Sequence, residues 1–569
     1  MLTAQNSPSW RRDLLVLVLV FAVLFGFRLG SYPLSNPDEG RYAEIPREMV
    51  ATGDWVTPRL NGVNYFEKPP LMYWATAACL KVFGPSEWSM RAMPALFGLG
   101  GVLLAYAAGR RLHSREAGLA SAAVLGTSLL WFALGRIMLL DMAVSALMSA
   151  ALFCFILGVR EPAGSRRRWL FYGLYAAMAL ATLTKGLIGF MVTGAVMFLW
   201  LLVFNQWKRL LPLYLPTGSL LFLAIAAPWH VLAALHNETW VHRYFYYEHW
   251  QRFTSPVADR PGAWWYFIPI VLLGLFPWTG FLWTALRDNL RGGWAARKEN
   301  ADAWFLVTWA VFIFLFFTKS NSKLVPYILP VFPPLAVLIG ISIANALKKG
   351  AAASAELKIG LRAFSFICGI LGVALIVVVL RSDVIKDPQQ LLALRPFAFI
   401  MAAMLLAGGV MAPWLARNRG AGAALAAVIY TMALFLGVLT FAAPHIQKPG
   451  TKELAAIVTA RAQPGDRVLH YHEFFHDFTF YAHRLVDVVD FKGELELEED
   501  AAARASGRFM DEATFRRLWT GPGRVWAVAR IKDVDPASKS GGAKLFADPT
   551  FRYHLIAASR DHYLFSNQP

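Results

Sequence analysis

Thirteen apolar runs set the limits on what this chain can become. They fall at roughly 13–30, 88–109, 117–134, 139–159, 169–184, 186–203, 211–234, 264–286, 302–318, 323–346, 361–380, 394–415 and 421–442, each near the length that crosses a bilayer as a helix. Of 569 residues, 57% are hydrophobic and only 16% charged, too few charges to clothe a soluble protein of this size. The pattern predicts a polytopic α-helical membrane protein. The division between 169–184 and 186–203 rests on Thr184-Lys185-Gly186, because one longer helix puts Lys185 in mid-membrane. The first run follows Arg11-Arg12 and has no small-residue cleavage site after it, so it is expected to remain as a helix.

Loop charge orients these runs. Arg110-Arg111 to Arg115, Arg166-Arg167-Arg168, Lys208-Arg209, Arg287 to Lys298, Lys348-Lys349 to Arg362 and Arg417 to Arg419 sort to one side, as cytoplasmic loops do. That sorting accounts for much of the net charge of +18 without a nucleic acid, for which no binding module is visible. An odd number of spans delivers 443–569 to the outer side, where apolar runs stop and charge rises. Strands are expected at Arg467–Tyr471, Val486–Val489 and Arg524–Ile531, and helices near 451–462 and 512–519, giving a compact soluble α/β domain. The division expected is 1–442, with a first outer loop at 31–87, and 443–569. His470, His472, His476 and His483 lack zinc-motif spacing and read as exposed or structural. Cys79, Cys154 and Cys368 have no CxxC partner and read as small buried apolar residues.

The chemistry concentrates in the first outer loop, between Asn36 and Pro70. Charge and helix breakers packed beside lipid are costly and point to use. A short interfacial helix is expected over 39–51, ended by Gly53, and a re-entrant or surface helix over 70–83. Topology explains the inner cations but not the outer ones: Arg41, Lys68, Arg136, Lys185, Arg243, Arg252, Lys319 and Lys323. Singly, each is an interfacial anchor with a snorkelling stem. Taken with Asp38, Glu39, Glu67, Asp141, Glu248 and His249, they suggest one polar cavity at the outer leaflet.

Asp38 and Asp141 each sit at an outer membrane edge with an arginine nearby, Arg41 and Arg136. They suit a general base, positioners of a cationic group, or metal ligands; helix capping competes for both. Lys68, held before Pro69-Pro70, suits a phosphate as a point charge, and Arg252 suits phosphate oxygens. Glu248-His249 is a weak metal signal on its own. Lys319 and Lys323, followed by Tyr327, add cations on the same side. Several cations with two or three acids favour an anionic lipid phosphate and a sugar.

These residues resemble a known family. Asp38-Glu39 with Arg41-Tyr42, Gly53-Asp54-Trp55 with Pro58, Glu67-Lys68-Pro69-Pro70-Leu71 with Tyr73-Trp74, Arg136 before Asp141, Thr184-Lys185-Gly186 and His249-x-x-Arg252-Phe253 are similar to the GT-C glycosyltransferases of the protein-mannosyltransferase-like group. The span count and outer C-terminal region are most similar to its lipid A aminoarabinose transferases. The resemblance implies transfer of 4-amino-4-deoxy-L-arabinose from undecaprenyl phosphate to lipid A phosphate at the periplasmic face of the bacterial inner membrane, with polymyxin resistance as the outcome. It implies Lys68 and Arg252 on the donor phosphate, with Arg41, Tyr42, Arg136, Lys185, Lys319, Lys323 and Tyr327 also binding substrate. Asp38 and Asp141 are implied to orient the sugar, its amine or a partner lysine, or to act as base. Glu67 and His249 are candidates for a divalent ion (Zn, Mg or Mn) that turnover is not assumed to require. A monomer suffices for this chemistry. Two alternatives stand beside it: a GT-C transferase with another lipid-linked sugar and a protein or glycan acceptor, and a transporter or flippase. The second predicts charges deep in the spans and symmetric halves, whereas here the charges gather on one side and no repeat is visible.

Overall fold

All thirteen apolar runs contain helix, as a backbone in lipid requires when it must satisfy its own hydrogen bonds. The computed structural model describes residues 9–251, 261–381, 384–447 apart from 386, 450–538 apart from 492, 494, 496, 498 and 499, and 545–569. Among these, eight helices are long and apolar enough to cross a membrane: Glu87–Leu112, Leu140–Gly158, Leu215–His236, Ala301–Lys319, Val325–Leu347, Lys358–Leu380, Pro388–Asn418 and Ala421–Ile446. The chain is a multi-pass helical membrane protein. Two expected runs are interrupted. The run at 117–134 becomes Arg115–Thr127 and Leu129–Leu134, parted at Ser128, whose backbone is extended. The run at 264–286 becomes Phe267–Gly274 and Phe281–Asn289, on either side of Pro277, which supplies no amide hydrogen. The division at Lys185 is real: Ser165–Lys185 ends there, and Gly186 closes it with φ of 82°.

The described residues form two compact units. The helical unit takes Met1–Leu29, Arg91–Leu232 and His242–Ile446. Its core is tied by indoles that are buried and hydrogen-bonded. Trp131 Nε1 donates to the Gly98 carbonyl at 3.1 Å, Trp200 Nε1 to that of Ala301 at 3.0 Å, and Trp278 Nε1 to Thr127 Oγ1 at 2.9 Å. At the start of the first helix, buried Asp13 gathers Arg115 Nη2 at 2.6 Å and the Tyr106 hydroxyl at 2.8 Å.

The outer unit takes Gly30–Met90, Ala233–Val241 and Gln447–Pro569. The first outer loop thus packs with the C-terminal residues, whereas the sequence reading had assigned it to the helical region. The C-terminal part is built on a six-stranded sheet ordered Phe509–Met510, Asp487–Val489, Arg467–Tyr471, Val525–Arg530, His562–Ser566, His554–Ala558. The first four strands run parallel and the last two add antiparallel. The strand Arg467–Tyr471 and the helix Glu512–Trp519 fall on the expected spans, and the helix Lys452–Arg461 within one residue of its own.

In the first outer loop, the helix Asp38–Thr52 ends at Gly53, whose φ of 72° is cheap only for glycine. The helix Leu71–Phe83 follows Pro70. Between them Asp54 makes a tight turn, accepting the amides of Val56 at 2.9 Å and Thr57 at 3.0 Å and the Arg59 guanidinium at 2.6 Å. The Gly53-Asp54-Trp55 pattern is therefore a loop-building device.

Side-chain contacts join the loop to the C-terminal residues. Buried Asn61 donates to the Val486 carbonyl at 3.0 Å and accepts the Val486 amide at 2.9 Å, mimicking a paired strand residue. Asp500 accepts the Asn64 amide at 3.0 Å. The Tyr481 hydroxyl accepts the Leu34 amide at 2.7 Å and donates to Glu87 at 3.0 Å. Backbone meets backbone at Gly40, where a Cβ would lie 2.5 Å from the Asp477 nitrogen and 2.7 Å from the His476 carbonyl carbon.

Gly40→Ala therefore forces backbone apart and is expected to cost about 1–3 kcal/mol in thermal denaturation. Gly437→Ala, in open helical space, is expected to be neutral or stabilising. Glu48 generates a pH prediction. Burial, then the neighbouring Glu44 charge, pushes its carboxyl up to about 8 although the Asn61 and Gly62 amides bond to it. The unfolded chain releases this proton near 4.5 and the folded one holds it to about 8, so stability falls as pH rises through that window. Melting curves from pH 5 to 9 are expected to show this slope, and Glu48→Gln to flatten it.

Candidate active site

In the outer unit a set of polar side chains converges on the start of the helix Asp38–Thr52. Asp38 opens the helix and is exposed, beside the buried Glu39, which accepts the Ser35 amide and hydroxyl, each at 3.1 Å. A turn later, buried Arg41 donates to the Tyr65 hydroxyl at 3.2 Å, and the Tyr42 ring lies 6.2 Å from that of Tyr73. Burial pushes the phenols of Tyr42, Tyr65 and Tyr73 well above their ordinary range, and the Glu67 charge adds to it for each. All three are neutral donors at neutral pH.

Glu67 and Lys68 stand at the edge of this cluster, just before the two prolines that lead into the helix Leu71–Phe83. Lys68 Nζ donates to the Glu67 carbonyl at 2.8 Å and lies 3.8 Å from its carboxylate. The ammonium is thereby held as a positioned point charge, and it also competes with a metal ion for the same oxygen.

One member comes from far along the chain. His476, at the start of the helix His476–Ala482, is buried against Gly40. Burial, then the Arg41 charge, holds its imidazole well below the ordinary value, while Glu67 opposes the shift. His470 is also buried. Its Nδ1 accepts the Phe475 amide at 3.1 Å, which fixes the turn that delivers His476, and burial holds its pKa at about 3. Neither ring is exposed, and only the structural half of that expectation describes His470. His472, Asp490 and Glu512 offer ligand atoms within 4.8 Å of one another, but Glu512 is already bonded by Arg516 at 3.0 Å.

The helical unit assembles a second cluster. Asp141 lies in the first turn of Leu140–Gly158, and Lys185 Nζ reaches its Oδ1 at 2.5 Å while lying 4.5 Å from the Tyr327 ring centre. Asp141 thus pairs with Lys185. Arg136 donates to the carbonyls of Leu24 at 3.4 Å, Phe25 at 2.5 Å and Phe27 at 2.7 Å. It caps the end of the first helix. Lys319 is exposed at the end of Ala301–Lys319, and Lys323 Nζ donates to the Ser320 carbonyl at 2.8 Å. Arg252 and the side chain of His249 lie outside the described residues.

Tyr65, Tyr73 and His476 complete the outer cluster without having been singled out as site residues. Tyr73 stood in the family pattern and Tyr65 two residues before Glu67. His476 had no local signal, since only folding brings it to Gly40.

Comparison with known proteins places this geometry. A profile of the dolichyl-phosphate-mannose-protein mannosyltransferase family matches residues 67–231. An undecaprenyl phosphate-alpha-4-amino-4-deoxy-L-arabinose arabinosyl transferase of Aeromonas salmonicida is 36% identical over 341 residues, 59% of this chain and 60% of that protein. The second such transferase of Proteus mirabilis is 32% identical over 386 residues, 67% of each. The match to the first of these relatives spans less than two thirds of its length. The crystal structure of ArnT from Cupriavidus metallidurans bound to undecaprenyl phosphate is similar with a TM-score of 0.83 and 29% identity, covering 99% of this chain and 98% of that one. An oligosaccharyltransferase of Archaeoglobus fulgidus, at TM-score 0.52 and 12% identity over 93% of this chain and 70% of that one, shares the fold alone.

The Asp141–Lys185 pair yields a stability test. Removing one partner of a largely buried pair strands the other charge, so Asp141→Asn or Lys185→Met alone is expected to cost about 3 kcal/mol in melting experiments. The double variant is expected to recover part of that loss.

Proposed function

The chain belongs to the undecaprenyl phosphate-α-4-amino-4-deoxy-L-arabinose arabinosyl transferase family, and on that premise we propose that it moves 4-amino-4-deoxy-L-arabinose from undecaprenyl phosphate to a phosphate of lipid A. The bond from sugar C1 to the donor phosphate oxygen breaks, and undecaprenyl phosphate leaves as the anion. A lipid A phosphate oxygen forms the new bond to C1. Because that acceptor is already ionised at neutral pH, the reaction needs charge compensation and alignment more than proton removal. The observation that carries this reading is the Asp38–Arg41–Glu67–Lys68 cluster, where positioned cations and neutral tyrosine donors surround carboxylates. In it Lys68 receives the charge of the leaving phosphate. Asp38 orients the sugar and its ammonium, and within the helical unit Lys185 fixes the position of Asp141 through their contact at 2.5 Å.

The same proposal has thirteen spans, an inner-membrane location and a periplasmic outer unit. Of the two residues proposed for a divalent ion, Glu67 lies in the outer unit, and the side chain of His249 lies outside the described residues. The Lys68 ammonium at 3.8 Å from Glu67 already supplies charge there, so no step depends on the ion. Substituting lipid A phosphates removes negative charge and weakens cationic peptide binding, giving polymyxin resistance.

The test uses a polymyxin-sensitive strain that makes the lipid-linked donor but lacks its own transferase. Expression of this chain is expected to add a pentosamine mass to lipid A in mass spectra, and Asp38→Asn or Lys68→Ala to abolish it. Membranes washed with a chelator are expected to keep the activity. No mass gain from a well-expressed, inserted wild type contradicts the proposed substrates.

A further inference from the structure

Among the described residues, Nδ1 of His476 and the hydroxyl of Tyr73 are buried polar atoms of the outer cluster with no hydrogen-bond partner. Tyr73 is fully buried, and His476 retains only 9% of its exposure. An orphaned buried group costs about 1–3 kcal/mol, so two in one cluster call for an explanation. Both stand within electrostatic reach of Glu67 and Arg41. They arrive by independent routes: Tyr73 on the first turn of the helix behind Pro70, His476 on a helix start fixed against Gly40.

The His476 position is held from several sides. Asp477, next in sequence, accepts the Thr451 amide at 2.7 Å and hydroxyl at 2.9 Å, and accepts from the Asn36 side-chain amide, whose oxygen takes the Asp477 N–H at 3.0 Å. The Phe474 ring stands edge-on to the imidazole with centroids 4.7 Å apart. A neutral imidazole so held presents one accepting and one donating nitrogen, and a phenol both donates and accepts. Beside a carboxylate and a guanidinium, that set of donors and acceptors matches a polyhydroxylated ring bearing an ammonium.

We propose that His476 and Tyr73 form a subsite for the sugar ring of the donor, so that the C-terminal region supplies a specificity-determining residue to the transferase site. This rests on the reading of the chain as a lipid-linked aminosugar transferase. The subsite recognises the sugar and makes no contact with the polyprenyl phosphate, which separates its test from a test of that reading.

The discriminating variants are Tyr73→Phe, His476→Leu and His476→Asn, the last keeping a polar atom near Nδ1. Removing an unpartnered buried hydroxyl cannot weaken an internal bond, so Tyr73→Phe is expected to leave the melting temperature unchanged or raised. Donor KM is expected to rise about tenfold in Tyr73→Phe and His476→Leu, corresponding to ~1.4 kcal/mol, and to return most of the way in His476→Asn. Affinity for undecaprenyl phosphate without sugar is expected to match wild type in all three. A donor carrying hydroxyl in place of the amine is expected to narrow the His476→Leu difference if the ammonium is the group bound there, and to preserve it if a ring hydroxyl is. Unchanged donor KM in Tyr73→Phe and His476→Leu overturns the subsite, as does an equal loss of affinity for donor and sugar-free lipid. If wild type binds undecaprenyl phosphate but gains nothing from the sugar, the subsite is overturned; if it binds and transfers a different lipid-linked sugar, the aminoarabinose reading fails and the same variants locate the subsite for that sugar.

Discussion

A buried carboxylate holds the outer unit together. Burial raises the cost of ionising Asp477, and the surroundings answer with the Thr451 amide and hydroxyl and the Asn36 side chain. Through it, the first outer loop, Thr451 and the helix His476–Ala482 are fixed to one another. Gly40 exists to permit that contact, because any side chain there meets backbone. The cluster around Arg41, Glu67 and Lys68 inherits its geometry from this lock, since the helix bearing Arg41 and the segment bearing His476 meet at it.

Two carboxylates near the proposed chemistry are each matched to a cation by short-range geometry. Asp141 is matched by Lys185 in the helical unit, and Glu67 by Lys68 in the outer unit. Neutral phenols, kept protonated by burial, supply donors without adding charge. Such preorganised dipoles need little rearrangement as charge moves from one phosphate to another.

Much of this was legible in the sequence because lipid simplifies the code. Apolar length marks helices, and Gly53 and Gly186 end theirs by conformations that other residues resist. Asp38, Lys68 and Lys185 stood out as charges that orientation did not explain. What was hidden depends on tertiary placement. The guanidinium of Arg136 lies on the carbonyls of Leu24, Phe25 and Phe27, a placement that no spacing encodes. The short strands at 509–510, 554–558 and 562–566 lack a strong alternating pattern. The grouping of the first loop with the C-terminal region depends on pairs such as Asn61 with Val486, more than four hundred residues apart in the chain.

The most direct measurement places purified protein in nanodiscs with lipid-linked aminoarabinose and lipid A, and follows both products by mass. The account predicts one undecaprenyl phosphate released for each pentosamine gained by lipid A, with both lost together in Lys68→Ala. Release of undecaprenyl phosphate without gain on lipid A, or full turnover in Lys68→Ala, would contradict it.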